Sequence, residues 1–149
     1  MKVAIIYGSK SDDQVMTNAI NLLKEFKISY ESYVLSAHRV PEKLTKTIKN
    51  LEKNGCEIII AGAGLAAHLP GVIASQTLIP VIGVPINAQL GGMDALLSIV
   101  QMPKSIPVAT VGINNSYNAA MLAIQMLAIK DSKLKQKLEK FRIEMKKKF

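Results

Sequence analysis

Apolar runs rich in valine and isoleucine recur at 3–7, 57–63, 80–84 and 106–111, with a weaker run at 28–35. They are continuously apolar rather than alternating, which predicts strands covered on both faces, as in a parallel sheet buried between helices. Helical periods lie between them: Val15, Ala19, Leu22, Leu23 and Phe26; then Leu44, Ile48 and Leu51; then Ala119, Leu122, Ala123 and Met126. Turn-forming residues fall where a doubly wound chain needs them, at Gly8-Ser9, Gly62-Ala63-Gly64, Gly91-Gly92 and Asn114-Asn115. No internal repeat, low-complexity tract or linker interrupts the 149 residues. The expectation is one domain over 1–149, a three-layer α/β/α sandwich with a parallel sheet of about five strands.

Charge narrows the class of partner once it is located. The net charge is +8, but residues 130–149 hold nine basic and three acidic side chains, a net of +6. The other 129 residues carry ten basic against eight acidic, a net of +2. Within the basic segment Leu134, Leu138, Phe141 and Met145 recur at helical spacing, which predicts an amphipathic C-terminal helix over 130–149. Its lysines then line an outer, solvated face, and its apolar stripe packs on the body or on another subunit. Aromatic residues do not interleave with the basic ones, so nucleic acid is not the expected partner. No apolar run reaches the length of a membrane span, and the single cysteine, Cys56, fits a reducing cytoplasm. Cys56 opens an apolar run, where a packed thiol is expected rather than a nucleophile.

Ligands of parallel sheets bind beyond the carboxyl ends of the strands, and the polar motifs fall at that edge. Gly8-Ser9-Lys10-Ser11-Asp12 follows the first run, Ser36-Ala37-His38-Arg39 the second, and Gly62-Ala63-Gly64-Leu65-Ala66-Ala67-His68 the third. Three loops from one edge imply one crevice. The Gly-Ser turn offers amides and hydroxyls to a phosphate, with Asp12 suited to sugar hydroxyls. Ser11 and Gln14 also have capping-box spacing, so part of the segment equally reads as a helix start. The glycine patterns of dinucleotide and nucleoside triphosphate sites are absent from the sequence. Arg39 either grips an anion through its two-pronged guanidinium or is a surface residue ahead of a helix begun by Pro41. The Gly62–Gly71 segment lets backbone approach a ligand closely, and its free amides could bind an anion.

The two histidines of the chain, His38 and His68, both lie at strand ends. Imidazole is the side chain that titrates nearest neutral pH, so acid–base work is one reading and a structural hydrogen bond the other. His68 either pins its loop or donates to a ligand.

On these residues the chain resembles the class I PurE family, the N5-carboxyaminoimidazole ribonucleotide mutases. The matching segments are Gly8-Ser9-Lys10-Ser11-Asp12, Ser36-Ala37-His38-Arg39, Ala61-Gly62-Ala63-Gly64, Ala66-Ala67-His68-Leu69-Pro70-Gly71 and Ser98-Ile99-Val100-Gln101-Met102-Pro103. The resemblance implies a flavodoxin-like fold, a homo-octamer with sites at subunit contacts, and carboxylate migration from N5 to C4 of an aminoimidazole ribonucleotide in purine biosynthesis, with neither metal nor cofactor. It places the family's proton-transfer histidine on His38 and substrate contacts on Ser9, Asp12, Ser36 and Arg39. It places the loop around the imidazole ring on Gly64, Ala66, His68 and Leu69. The chain departs from the family at Val40, where threonine is usual, at Asp13 in place of tryptophan, and at Leu65 in place of glycine. The segments 85–92 and 112–118 also look shorter than their counterparts. Two alternatives stay open: a class II-type carboxylase that uses CO2 directly, and a non-catalytic flavodoxin-like module that binds a nucleotide or flavin. Arg39 and the Ala66–Gly71 run favour the mutase over class II, which carries lysine after the histidine.

Overall fold

The computed structural model describes residues 2–148, so Met1 and Phe149, the ends of the expected domain and terminal helix, lie outside the described residues. Five strands form one all-parallel sheet: β1 (Lys2–Tyr7), β2 (Ser29–Val34), β3 (Ile58–Gly64), β4 (Val81–Ile86) and β5 (Ala109–Thr110), in the order β2-β1-β3-β4-β5. Six α-helices lie among the described residues: α1 (Asp13–Glu25), α2 (Pro41–Lys53), α3 (Leu69–Ala74), α4 (Met93–Val100), α5 (Ser116–Ala128) and α6 (Ser132–Lys146). The architecture is the flavodoxin-like sandwich expected.

Strand alternation builds two cores, one on each face of the sheet. Val3 and Ile5 of β1, with Ile58 and Ile60 of β3, face α1, α5 and α6. Their neighbours Ala4, Ile6, Ile59 and Ala61 face α2, α3 and α4. Because both faces are covered, β1, β3 and β4 are buried almost throughout, whereas edge strand β2 is half open, which explains its weaker apolar run. Pro85 is tolerated inside β4 because Gly83 and Pro85 turn toward β5, which has ended by then. The Val111 N–H still reaches the Gly83 carbonyl, and Asn114 rather than a strand donates to Pro85.

The structure departs from the sequence reading in several places, among them the C-terminal helix, which runs Ser132–Lys146 against the expected 130–149. β5 pairs over only two residues, against the run 106–111, because Pro107 has no N–H to offer a ladder. Helices α3 and α4, six and eight residues long, were not among the helical periods. They are too short to display one. The capping box forms on a different pair: Ser9 caps a short 3-10 turn, Lys10–Asp12, and Asp12 returns the bond to the Ser9 N–H, while Ser11 and Gln14 do not pair as a box. The turn leads directly into α1.

The C-terminal helix docks on its own chain. Leu134 and Leu138 are buried beside α1 and α5, and Phe141 tilts against Phe26 with ring centroids 5.5 Å apart. Lys137 lies 4.8 Å above the Phe26 ring and donates to the Glu25 carbonyl at 2.6 Å, closing the end of α1. Met145, the last residue of the expected stripe, stays exposed. No helix among the described residues is long and apolar enough to cross a membrane.

Candidate active site

The chain crosses from β2 back over β1 to β3, so the direction of winding reverses between β1 and β3. Loops leaving the carboxyl ends of these strands splay apart there and open a crevice. A cavity of about 400 Å³ occupies it, and all nine sequence-predicted site residues line it: Ser9 and Asp12 after β1, Ser36, His38 and Arg39 after β2, and Gly64, Ala66, His68 and Leu69 after β3.

Each loop is held by its own short-range bonds. After β1, the Ser9 hydroxyl accepts from the Ser11 N–H at 3.3 Å and the Ser9 N–H donates to Asp12 Oδ2 at 3.2 Å. The Ser11 hydroxyl donates to Ser9 Oγ at 2.9 Å, so both serine hydroxyls are oriented together at the cavity wall. Burial pushes the Asp12 carboxyl above its ordinary value, against the opposing pull of its bonds from Ser11 and Ser9. After β2, the Ser36 hydroxyl accepts the Arg39 N–H at 3.3 Å and its carbonyl accepts the Val40 N–H at 3.0 Å, closing the turn that carries His38. Ser36 therefore shapes the loop as well as lining the cavity. Arg39 Nη2 donates to the Gly8 carbonyl at 3.3 Å, which lays the guanidinium across the end of β1 beside the Ser9 turn. Its other donors remain directed elsewhere around the fork.

The loop after β3 is wound more tightly than its composition implies. The Ala67 N–H closes on the Leu65 carbonyl at 2.8 Å and the His68 N–H on the Ala66 carbonyl at 2.7 Å. These two amides are thus used inside the loop, which removes them from the expected anion-binding set. The glycines serve packing. A Cβ on Gly62 would meet Met16 Sδ at 2.5 Å, and one on Gly64 would meet the Ile86 carbonyl oxygen at 3.1 Å.

The two histidines meet across the cavity. His38 Nε2 and His68 Nδ1 are 2.8 Å apart and the rings stand edge to face, 85° apart with centroids at 4.9 Å. One ring donates and the other accepts, so a single hydrogen lies between them and fixes both planes. Both imidazoles are otherwise exposed to the crevice. Sequence separation of 30 residues hid this pair: each histidine was legible as a strand-end residue, their contact was not.

Six further residues line the cavity, Gly8, Ser11, Ala37, Ala63, Leu65 and Ala88, and all but Ala88 lie within the strand-end motifs. Ala88 follows β4, so the rule that ligands bind beyond strand ends would have found it had β4 been extended to Ile86. Leu65 is set apart by its backbone, with φ at +55°, in the left-handed region.

The sequence profile of the family described as AIR carboxylase matches residues 2–148. A Pyrococcus abyssi protein named N5-carboxyaminoimidazole ribonucleotide mutase is 57% identical over 146 residues, 97% of this chain and 84% of that one. A Saccharolobus solfataricus protein of the same name is 56% identical over 145 residues, 97% of this chain and 92% of that one. A crystal structure of Treponema denticola PurE superposes with a TM-score of 0.91 at 26% identity, covering 99% of this chain and 92% of that one. Neither relative leaves more than a sixth of its length unmatched, and the matched span includes every loop of the crevice. The chain belongs to the AIR carboxylase family.

Proposed function

We propose that this chain is a mutase of purine biosynthesis that converts N5-carboxyaminoimidazole ribonucleotide to 4-carboxy-5-aminoimidazole ribonucleotide, with His38 as the acid and base. The observation that carries this reading is the gathering, at one topological switch point, of a bonded histidine pair, an arginine fork and a hydroxyl-lined turn around a wall of small residues. The names borne by relatives at 57% and 56% identity support the same reaction.

The division of labour follows from the bonds already described. His38 Nε2 is engaged with His68, which leaves Nδ1 of His38 to face the substrate. With His38 as imidazolium, Nδ1–H protonates N5 as the carbamate C–N bond breaks, the bonding pair staying on nitrogen and CO2 departing. C4 of the electron-rich ring attacks CO2, and neutral Nδ1 removes the C4 proton, so His38 ends as it began. His68 Nδ1 accepts the Nε2–H of His38 and so holds the orientation of His38, in the way that a second group orients a catalytic histidine. Arg39 and the Ser9–Ser11 turn hold the phosphoribosyl group, with Asp12 on the ribose hydroxyls. Gly64, Ala66 and Leu69 leave room for the flat imidazole and its carboxylate. No metal or cofactor has a part in these steps.

The chain acts as a homo-octamer in the cytoplasm, without nucleic acid or membrane as partner. Apolar exposure supports association: Met93, Leu97 and Val100 form one exposed face of α4, and Leu90 is exposed on the preceding turn, in the loop that brings Ala88 to the cavity.

The test is a direct assay with N5-carboxyaminoimidazole ribonucleotide in the absence of ATP and added bicarbonate. Conversion under those conditions is expected. Bicarbonate-dependent carboxylation of aminoimidazole ribonucleotide alone would assign the class II reaction instead, and retention of a flavin or nucleotide without turnover would assign a binding module.

A further inference from the structure

We infer that Asn114 is a positioning residue for the proposed carboxylate transfer, completing the rim of the sheet beyond β5 and so fixing the Ala88 wall of the cavity; the inference rests on the mutase reading above. Asn114 stands where the sheet loses its edge strand. Ile82 lies opposite Ala109 and Gly83 opposite Thr110, and the ladder between β4 and β5 then stops. The next donor on β4 would be Pro85, which has no N–H. Beyond it, the Pro85 carbonyl and the Asn87 N–H are left on the side of the missing strand.

Asn114 satisfies both groups. Its N–H donates to the Pro85 carbonyl at 2.8 Å, and its side-chain Oδ1 accepts the Asn87 N–H at 2.9 Å. In a parallel ladder a residue bonds the carbonyl before and the N–H after the residue it faces. Asn114 thus faces Ile86 as a strand residue would, with its side-chain amide standing in for the backbone carbonyl. Continuing the register of β5 would bring Ile113 to this place, so the chain arrives one residue late. Asn114 makes up the difference at φ +58°, a left-handed backbone that asparagine accepts more readily than most residues. Its neighbour Asn115 has a separate task, capping α5 by accepting the Asn118 N–H at 3.0 Å.

This bridge bears directly on the cavity. On its other side Ile86 pairs with Gly64, a cavity residue, so Gly64, Ile86 and Asn114 form one row across the carboxyl rim of the sheet. The row is packed without slack. A Cβ on Gly64 would meet the Ile86 carbonyl oxygen at 3.1 Å and Ala88 Cβ at 3.3 Å. From the far side Gly92 packs so closely that a Cβ there would meet Ile113 Cγ2 at 2.6 Å and Asn87 Cα at 3.3 Å. Asn87 leads straight into Ala88, which lines the cavity. In the proposed reaction Gly64 borders the imidazole and its carboxylate, whereas Arg39 and the Ser9 turn hold the phosphoribosyl group from the β1 and β2 side. The Asn114 bridge therefore governs how the ring is aligned with His38, not how firmly the nucleotide is held.

The experiment compares Asn114→Gly and Asn114→Asp with the parent, by initial rates on N5-carboxyaminoimidazole ribonucleotide and by hydrogen–deuterium exchange of the peptide covering 85–92. Asn114→Gly keeps the backbone N–H and suits the left-handed conformation, but it removes the acceptor for the Asn87 N–H. Misplacement of about 1 Å can cost roughly 10²-fold, and a loosened wall should lower kcat about tenfold while KM stays within about twofold. Exchange over 85–92 should quicken several-fold. Asn114→Asp, which restores an acceptor oxygen, should return both kcat and slow exchange close to those of the parent. Thermal midpoints establish that both variants are folded. Parental kcat in Asn114→Gly overturns the inference even where exchange quickens, as does a loss confined to KM or to thermal stability. A kcat in Asn114→Asp as low as in Asn114→Gly overturns it too, since the acceptor oxygen would then not be what matters. A parent protein with no turnover overturns the functional reading and the positioning role with it.

Discussion

Asp12 accepts from the Ser9 N–H and, at 3.3 Å, from the Ser11 hydroxyl, yet burial outweighs both and holds its carboxyl above the ordinary value of 3.8. The fold therefore favours the protonated form relative to the unfolded chain. That contribution is fully present below the ordinary value and is lost as pH rises through the raised one. Asp12→Asn has no such titration. The stability of the parent relative to Asp12→Asn should thus fall as pH rises from below 3.8 through the raised value, then level off. Urea midpoints of the two proteins at a series of pH values check this, and a relative stability that climbs with pH would refute it. The same carboxylate should matter in the opposite sense for substrate, since a neutral amide is a poorer acceptor for ribose hydroxyls than an ion. A destabilising charge kept at a cavity wall is the pattern expected of a functional group.

Among the elements, α2 begins without a side-chain cap. Val40 occupies the N-cap and makes no capping bond, as its sequence predicts, and Pro41 fills the first helical position, where its missing N–H costs nothing. Val40→Ser should supply an acceptor to the first turn and raise stability by about 1 kcal/mol. A shift of the urea midpoint to higher concentration with an unchanged slope would show it, and an unmoved midpoint would mean the turn cannot accept the bond. Elements differed in how much of them the sequence discloses. β1, β3 and the helices α1, α2, α5 and α6 carry either a continuous apolar run or several turns of period, and both are visible one residue at a time. The helix α3 has Pro70 and Gly71 in its six residues, and β5 needs only Ala109 and Thr110 on a partner strand. Neither has a local signature, because the sheet and its neighbours impose them. The crevice follows the same division. Strand-end motifs pointed to the loops that line the cavity, but the His38–His68 contact, the Ser9–Asp12 box and the left-handed Leu65 depend on how those loops close, which no spacing along the chain records.

At the scale of the whole molecule, the charge and the apolar surface separate. The basic helix α6 is anchored by Leu134, Leu138, the Phe26–Phe141 pair and Lys137 against the end of α1, so its remaining charge faces outward. The exposed apolar groups lie elsewhere, on α4 at Met93, Leu97 and Val100, with Leu78 fully exposed and Leu90 three-quarters so. Isolated exposed leucines are ordinary, but an aligned face on one helix marks an interaction surface. Sedimentation equilibrium should give a mass about eight times the 16.2 kDa of the chain, with closed symmetry. A mass of one chain at micromolar concentration would contradict the assembly.

If His38 carries the proton transfers of the migration, the turnover of His38→Asn reports their loss. Asparagine keeps a hydrogen-bonding side chain in the turn but cannot carry the proton. General acid–base catalysis is worth roughly 10²- to 10⁴-fold. His38→Asn should therefore lose at least about 10²-fold in turnover of N5-carboxyaminoimidazole ribonucleotide, while equilibrium binding of the substrate stays close to that of the parent. Turnover within a few-fold of the parent would exclude His38 as the acid and base and move the proton transfers to another group.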